Sequence, residues 1–222
     1  MRKLALDELQ ATESDSFIYH EMMAHPALFT HIHPHKVAII GGGDNGILQE
    51  TLKHQRISEI WLIENDPLTT QQNDDPRVKC YIGSAAEWIT NVQAHYFDVI
   101  IINTPFPASE SKFLHHCLAA LSVDGVLVQQ STSPFQLPIL KAIHENLHHV
   151  GFRDVQILHF PQPSFPTGWR MAWMATKRSV FRRVSEKDVY NKSFKTRYYN
   201  FDVHKAALAL PEFIREELEI TA

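Results

Sequence analysis

The chain has 222 residues, 44% of them hydrophobic, and 25 acidic against 21 basic side chains give a formal net charge of −4. That length fits one ordinary domain with room for a small appendage, and the apolar content suffices for a core. The acidic balance argues against nucleic acid or an anionic membrane surface as partner, and no apolar run approaches the roughly 20 residues needed to cross a bilayer.

In chain order, residues 1–8 turn acidic too early for a signal peptide. Residues 4–16 read as a short strand or extended arm. Over 15–29, Phe17, Ile18, Met22, Met23 and Leu28 stand at near-helical spacing and predict a helix. After a polar turn, Val37-Ala38-Ile39-Ile40 is a buried strand, Gly41-Gly42-Gly43-Asp44-Asn45-Gly46 a turn, and 47–54 a helix. A second strand, 60–63, ends in Glu64. Residues 96–102 form a continuous apolar strand, of the type buried on both faces. Then follow a helix over 113–121, a turn at Asp124-Gly125, a strand over 126–130 and a helix over 137–149 closed by Gly151. Residues 155–160 and 170–176 fit a closing antiparallel pair. The alternation predicts an α/β, Rossmann-like fold: a mostly parallel sheet with an antiparallel edge hairpin, plus a short N-terminal strand.

The glycine turn carries the most chemistry. Glycines between a strand and a helix let backbone approach a ligand closely, and a carboxylate roughly 20 residues on is the usual partner of a ribose diol. Gly41, Gly43 and Gly46 also fit G-x-G-x-x-G, so turn and acid alone do not separate a nicotinamide dinucleotide from an S-adenosyl compound. Ligands in such sheets sit beyond the carboxyl ends of the strands, which singles out the loops 41–46, 64–67, 83–86, 103–110 and 130–134. The 14 histidines form neither H-E-x-x-H nor a Cys/His array, so no metal site is expected. Cys80 and Cys117 are isolated, as reduced thiols of a cytoplasmic protein are.

Further motifs are Tyr19-His20-Glu21-Met22 with His25-Pro26 and Leu28, the run 48–54, Glu64-Asn65-Asp66, Asp75-Pro76-Arg77, Asp98-Val99-Ile100-Ile101 and Asp124-Gly125-Val126. Near the C-terminus stand Arg197-Tyr198-Tyr199-Asn200, His204-Lys205-Ala206-Ala207 and Leu210-Pro211. With these motifs in this order, from about residue 4 to 218, the sequence resembles the polyamine aminopropyltransferases, the spermidine synthase family. The resemblance implies an S-adenosylmethionine-dependent methyltransferase-type fold. It divides the chain into residues 1–16, a remnant of the family's N-terminal β-domain, and 17–222, the Rossmann-like catalytic and binding domain. It implies aminopropyl transfer from decarboxylated S-adenosylmethionine, a co-substrate, to a polyamine acceptor such as putrescine. Methylthioadenosine is the product, and no cofactor is bound permanently.

The resemblance also implies roles. Gly41, Gly43, Asp44, Glu64, Ser84 and Ala85 would bind the donor, Glu64 taking the ribose hydroxyls and Asp44 the aminopropyl ammonium. Tyr19 would act beside the reacting groups, and His20, Asp44, Phe106, Gln130 and Phe165 would line the amine side. The chain departs from the family where that family has two loop aspartates, one of them the proton acceptor: here stand Asn103 and Phe106. Asparagine cannot take a proton near neutral pH. Ser84-Ala85 replaces the family's Asp-Gly in the adenine loop, and Phe165 replaces a tyrosine. Glu110, Glu21 or water would then remove the proton. The expectation is a spermidine synthase-like enzyme of impaired or altered activity; the alternative is a degenerate member that binds methylthioadenosine or polyamine without turnover. A homodimer is the expected assembly, with the reduced β-domain removing part of the family's interface.

Overall fold

The computed structural model describes residues 2–41, 45–66, 73–104, 110–181 and 183–220, with side chains from residue 15 onward. Seven strands form one sheet in the order β3-β2-β1-β4-β5-β7-β6. β1 (Lys36–Ile40), β2 (Glu59–Glu64), β3 (Val78–Ile82), β4 (Phe97–Ile102) and β5 (Leu121–Gln130) are parallel; β7 (Trp169–Thr176) and β6 (Asp154–Pro161) close the edge antiparallel. The expected α/β sheet and its closing hairpin are therefore present.

The strand alternation sorts the core into two layers. Val37 and Ile39 of β1 face α1 (Arg2–Thr30), α2 (Gly46–Leu52), α6 (Glu186–Tyr190) and α7 (Phe201–Ala207). Ala38 and Ile40 face α3 (Ala85–Thr90), α4 (Ser111–Ala120), α5 (Leu137–Val150) and α8 (Glu212–Glu217). Among the described residues no helix is long and apolar enough to cross a membrane.

Three expectations need correction. The short N-terminal strand is absent: residues 2–16 belong to α1, which runs on to Thr30. Residues 2–11 are strong helix formers free of Gly, Pro and β-branched side chains, and a lone strand without a partner is not stable. Asp124-Gly125 lies inside β5, where the pairing jumps from Phe97↔Leu121 to Val99↔Val126 and leaves a bulge in place of a free turn. Glu21 is not available as a base. It is 1% exposed, and its carboxylate accepts the backbone N–H groups of Arg197, Tyr198 and Tyr199 at 2.7, 2.9 and 2.7 Å. The two terminal motifs are thus one packing unit: the ring of Tyr199 also stacks on Phe29 at 5.6 Å, and Asn200 caps α7 through the N–H of Val203.

Below that unit, His25 Nδ1 lies 3.0 Å from His54 Nε2, and His25 Nε2 lies 3.0 Å from Glu50. Burial pushes His54 from 6.5 to about 3 and His204 to about 4. Both imidazoles are therefore neutral in the fold, whereas the unfolded chain protonates them near 6.5. Their contribution to stability is complete above that value and is lost as the pH falls toward the folded values. Between about pH 7 and about pH 5 the His54 share amounts to about 2 kcal/mol. Thermal unfolding of wild type and His54→Gln at both pH values checks this: the variant is expected to lose markedly less stability on acidification, and equal losses would refute the assignment.

Candidate active site

The site forms where β1, β2 and β4 end. Gly41 leaves β1 with φ +80, its N–H bonded to Ile63 O at 2.9 Å. A Cβ there would come within 2.2 Å of Thr104 Cγ2, so only glycine lets the two turns approach this closely. Gly46 opens α2 directly against the His20 ring, where a Cβ would lie 2.1 Å from the imidazole.

Gly41, Glu64, Ser84, Ala85, Thr104 and Glu110 line a cavity of about 320 Å³, within the roughly 300–1,000 Å³ of ordinary ligand sites. Glu64 ends β2, is 9% exposed, and its carbonyl holds the N–H of Gly83 at 2.8 Å, fixing the neighbouring loop. Ser84 caps α3, its Oγ accepting from the N–H of Glu87 at 3.4 Å. Thr104 Oγ1 is buried with no partner among the described residues.

On the other side of Gly41, Asn103 directly follows β4. Its Nδ2 donates to Gly41 O at 2.6 Å, and its Oδ1 accepts from the Tyr19 hydroxyl. That hydroxyl also lies 3.0 Å from Gln130 Oε1, at the end of β5. Arg170 of β7 donates from Nη2 to the same oxygen at 2.6 Å. Its guanidinium stacks 3.9 Å from the Tyr19 ring centroid and 5.1 Å from that of Phe165. His20 sits beside Tyr19, ring centroids 6.0 Å apart.

Of the residues named from sequence, Gly41, Glu64, Ser84 and Ala85 share the cavity, and Tyr19, Asn103, Gln130 and Phe165 converge beside it, with His20 next to Tyr19. Gly43, Asp44 and Phe106 lie outside the described residues. Sequence reasoning missed Thr104 and Arg170. Thr104 follows Asn103 in a loop already singled out, whereas Arg170 gave no signal at all, standing in an otherwise apolar strand.

A model of the spermine/spermidine synthase domain matches residues 16–185. The chain belongs to the spermine/spermidine synthase family. A polyamine aminopropyltransferase of Nitrosococcus oceani is 41% identical over 92% of this chain and 78% of its own. One from Thioalkalivibrio sulfidiphilus is 39% identical over 93% and 80%. Among solved structures, spermidine synthase from Thermotoga maritima superposes with a TM-score of 0.86 at 32% identity, covering 94% of this chain and 77% of its own. A spermidine synthase in complex with the transition-state analogue AdoDATO gives 0.87 at 32%, covering 94% and 76%.

Proposed function

We propose that the protein is a spermidine synthase-like aminopropyltransferase working in the cytoplasm, with slow turnover of putrescine. The observation that carries this reading is the cavity that unites the Gly41 turn, Glu64 and the Ser84 loop, with the Tyr19–Asn103 pair at its flank. In the reaction, an acceptor nitrogen attacks the aminopropyl carbon next to the sulfonium of decarboxylated S-adenosylmethionine. The carbon–sulfur bond breaks, sulfur keeps its electron pair, methylthioadenosine leaves, and the new secondary ammonium gives up a proton.

The protein's part is alignment and charge. Glu64 takes the ribose hydroxyls, Gly41 permits close backbone approach, and Ser84 and Ala85 hold the adenine edge. Asp44 neutralises the donor's ammonium. Tyr19 and Asn103 orient the attacking nitrogen, with Gln130, His20, Phe106 and Phe165 along the acceptor. Asn103 positions but cannot accept a proton, so the proton passes to Glu110 on the cavity wall or to water. The same tie of Asn103 to Gly41 and Tyr19 favours the second reading, a family member that holds methylthioadenosine without turnover.

Calorimetric titration with methylthioadenosine tests the donor assignment that both readings share. Wild type is expected to bind it, and Glu64→Gln to bind about tenfold or more weakly, because a bond to an ionised acceptor is roughly twice as strong as a neutral one. Equal affinities would remove Glu64 from the ribose. Release of methylthioadenosine from the decarboxylated donor then separates enzyme from binding protein.

A further inference from the structure

We infer that Glu110 reads the base of the donor: its carboxylate accepts a hydrogen bond from the exocyclic amino group of adenine, in place of the acid that the Ser84 loop lacks. The inference rests on the aminopropyltransferase reading and deepens its nucleoside site.

Among the described residues, Glu64 and Glu110 are the charged side chains that line the cavity at the strand ends, and no basic side chain joins them. The two stand on different elements. Glu64 ends β2, next to Ile63, whose carbonyl holds the N–H of Gly41 at 2.9 Å. Glu110 precedes α4 and also borders a neighbouring cavity together with Ala86, Glu87 and Thr90 of α3, which puts it on the α3 flank. Ile40, Ile63 and Ala85 supply apolar wall for a flat base. A nucleoside offers donors at two ends, the ribose diol and the amino group of the base. With Glu64 on the diol, the second acceptor has to come from the α3 flank.

The loop itself offers little there. Ala85 and Ala86 carry no polar side chain, and Ser84 Oγ already accepts from the N–H of Glu87 at 3.4 Å as the cap of α3. Glu110 is differently placed. It is the N-cap residue of α4, yet its side chain makes no capping hydrogen bond, so the usual structural duty of an acid at this position is not what holds it. Its carboxylate is exposed at the cavity rim, where an ionised acceptor makes a stronger bond to an amino group than a serine hydroxyl does. A carboxylate engaged by the base is not free for the proton of the reaction, which then passes to water. An acid that merely solvates the surface would leave the choice of base unaffected, and that difference is measurable.

The matched probes are methylthioadenosine and methylthioinosine, which share ribose and thioether and differ at the edge of the base, where a carbonyl acceptor replaces the amino donor. Each is titrated into the protein by calorimetry. Wild type is expected to bind the adenine compound about tenfold or more tightly than the inosine compound, the worth of one hydrogen bond to a charged acceptor. Glu110→Gln can turn its amide N–H toward the carbonyl, so the ratio should move about tenfold or more toward the inosine compound. Glu110→Ala should fall between, and Ser84→Ala should keep the wild-type preference. Because Glu110 is exposed, melting temperatures of its variants should match that of wild type and verify their folds. A wild type without preference, a Glu110→Gln that keeps the wild-type ratio, or a Ser84→Ala that abolishes it overturns the inference and leaves Glu64 on the ribose. A kept ratio with lowered turnover in Glu110→Gln would in addition make Glu110 the proton acceptor. Failure of wild type to bind either nucleoside overturns the aminopropyltransferase reading and this inference with it.

Discussion

Asn103→Asp combined with Phe106→Asp raises putrescine turnover by about 10²-fold, read as methylthioadenosine released from the decarboxylated donor. A positioned base contributes about 10²–10⁴-fold, and these positions bear carboxylates in the family that the sequence resembles. The lower end is expected for a reason visible at Asn103. Its Nδ2 donates to Gly41 O at 2.6 Å, a contact that a carboxylate oxygen turns into repulsion between two acceptors. The new carboxylate must rotate away from Gly41 or hold a proton there. Part of the gain goes to that adjustment, and the rate of the double variant should climb with pH as the group ionises. Phe106→Asp restores the second of the two loop aspartates of the family that the sequence resembles, and with it a negative charge for a cationic acceptor. The two changes are coupled, so each alone should yield less than its share of the combined gain. If wild type already turns over putrescine as fast as the double variant, the neutral wall is no defect and the acceptor chemistry assigned to it is wrong.

The cavity at the ends of β1 and β2 was legible because local rules decide it. A buried strand, a glycine turn and an acid at the end of the next parallel strand can meet in only one place in such a sheet, and Gly41, Glu64 and Ser84 do meet there. Arg170 was not legible. Whether a residue of the closing hairpin faces the site depends on the register Phe160↔Arg170 and on the turn between them, which pattern alone does not set. β3 passed unnoticed because Val-Lys-Cys-Tyr-Ile is an edge strand with mixed exposure, without the apolar run that marked β1 and β4. The N-terminal segment went wrong for the opposite reason. The likeness to a family with a β-domain spoke for a strand, while the composition of residues 2–11 spoke for a helix, and composition prevailed. Glu21 shows the same limit within a single motif. Beside Tyr19 and His20 it looks like one more acid for the site, yet successive helical residues point in different directions. Tyr19 faces Asn103, and Glu21 faces the C-terminal segment.

That division of labour predicts a large loss of stability, with no separate loss of chemistry, when Glu21 is removed. Among the described residues the three backbone N–H groups of residues 197–199 find their acceptor in this one carboxylate, which is buried. Hydrogen bonds to charged groups contribute about 1.5–3 kcal/mol each, and a buried donor left unpaired costs about 1–3 kcal/mol. Glu21→Ala should therefore destabilise the fold by about 4 kcal/mol or more, a large part of the roughly 5–15 kcal/mol that holds a domain together. In a chain of this size that lowers the melting temperature by about 10 °C or more. Glu21→Gln keeps one acceptor oxygen but turns an amide donor toward the remaining N–H groups, and should fall between the two. The loss should be accompanied by early proteolysis after residue 180, since the Arg197–Asn200 motif loses its anchor while Phe29 and Phe17 still hold Tyr199 and Arg197 by their rings. Methylthioadenosine affinity, measured well below the melting temperature, should stay near that of wild type, because the cavity takes no wall from this unit. A variant that melts like wild type but no longer releases methylthioadenosine would return Glu21 to the reaction as its base and remove the structural role argued for it.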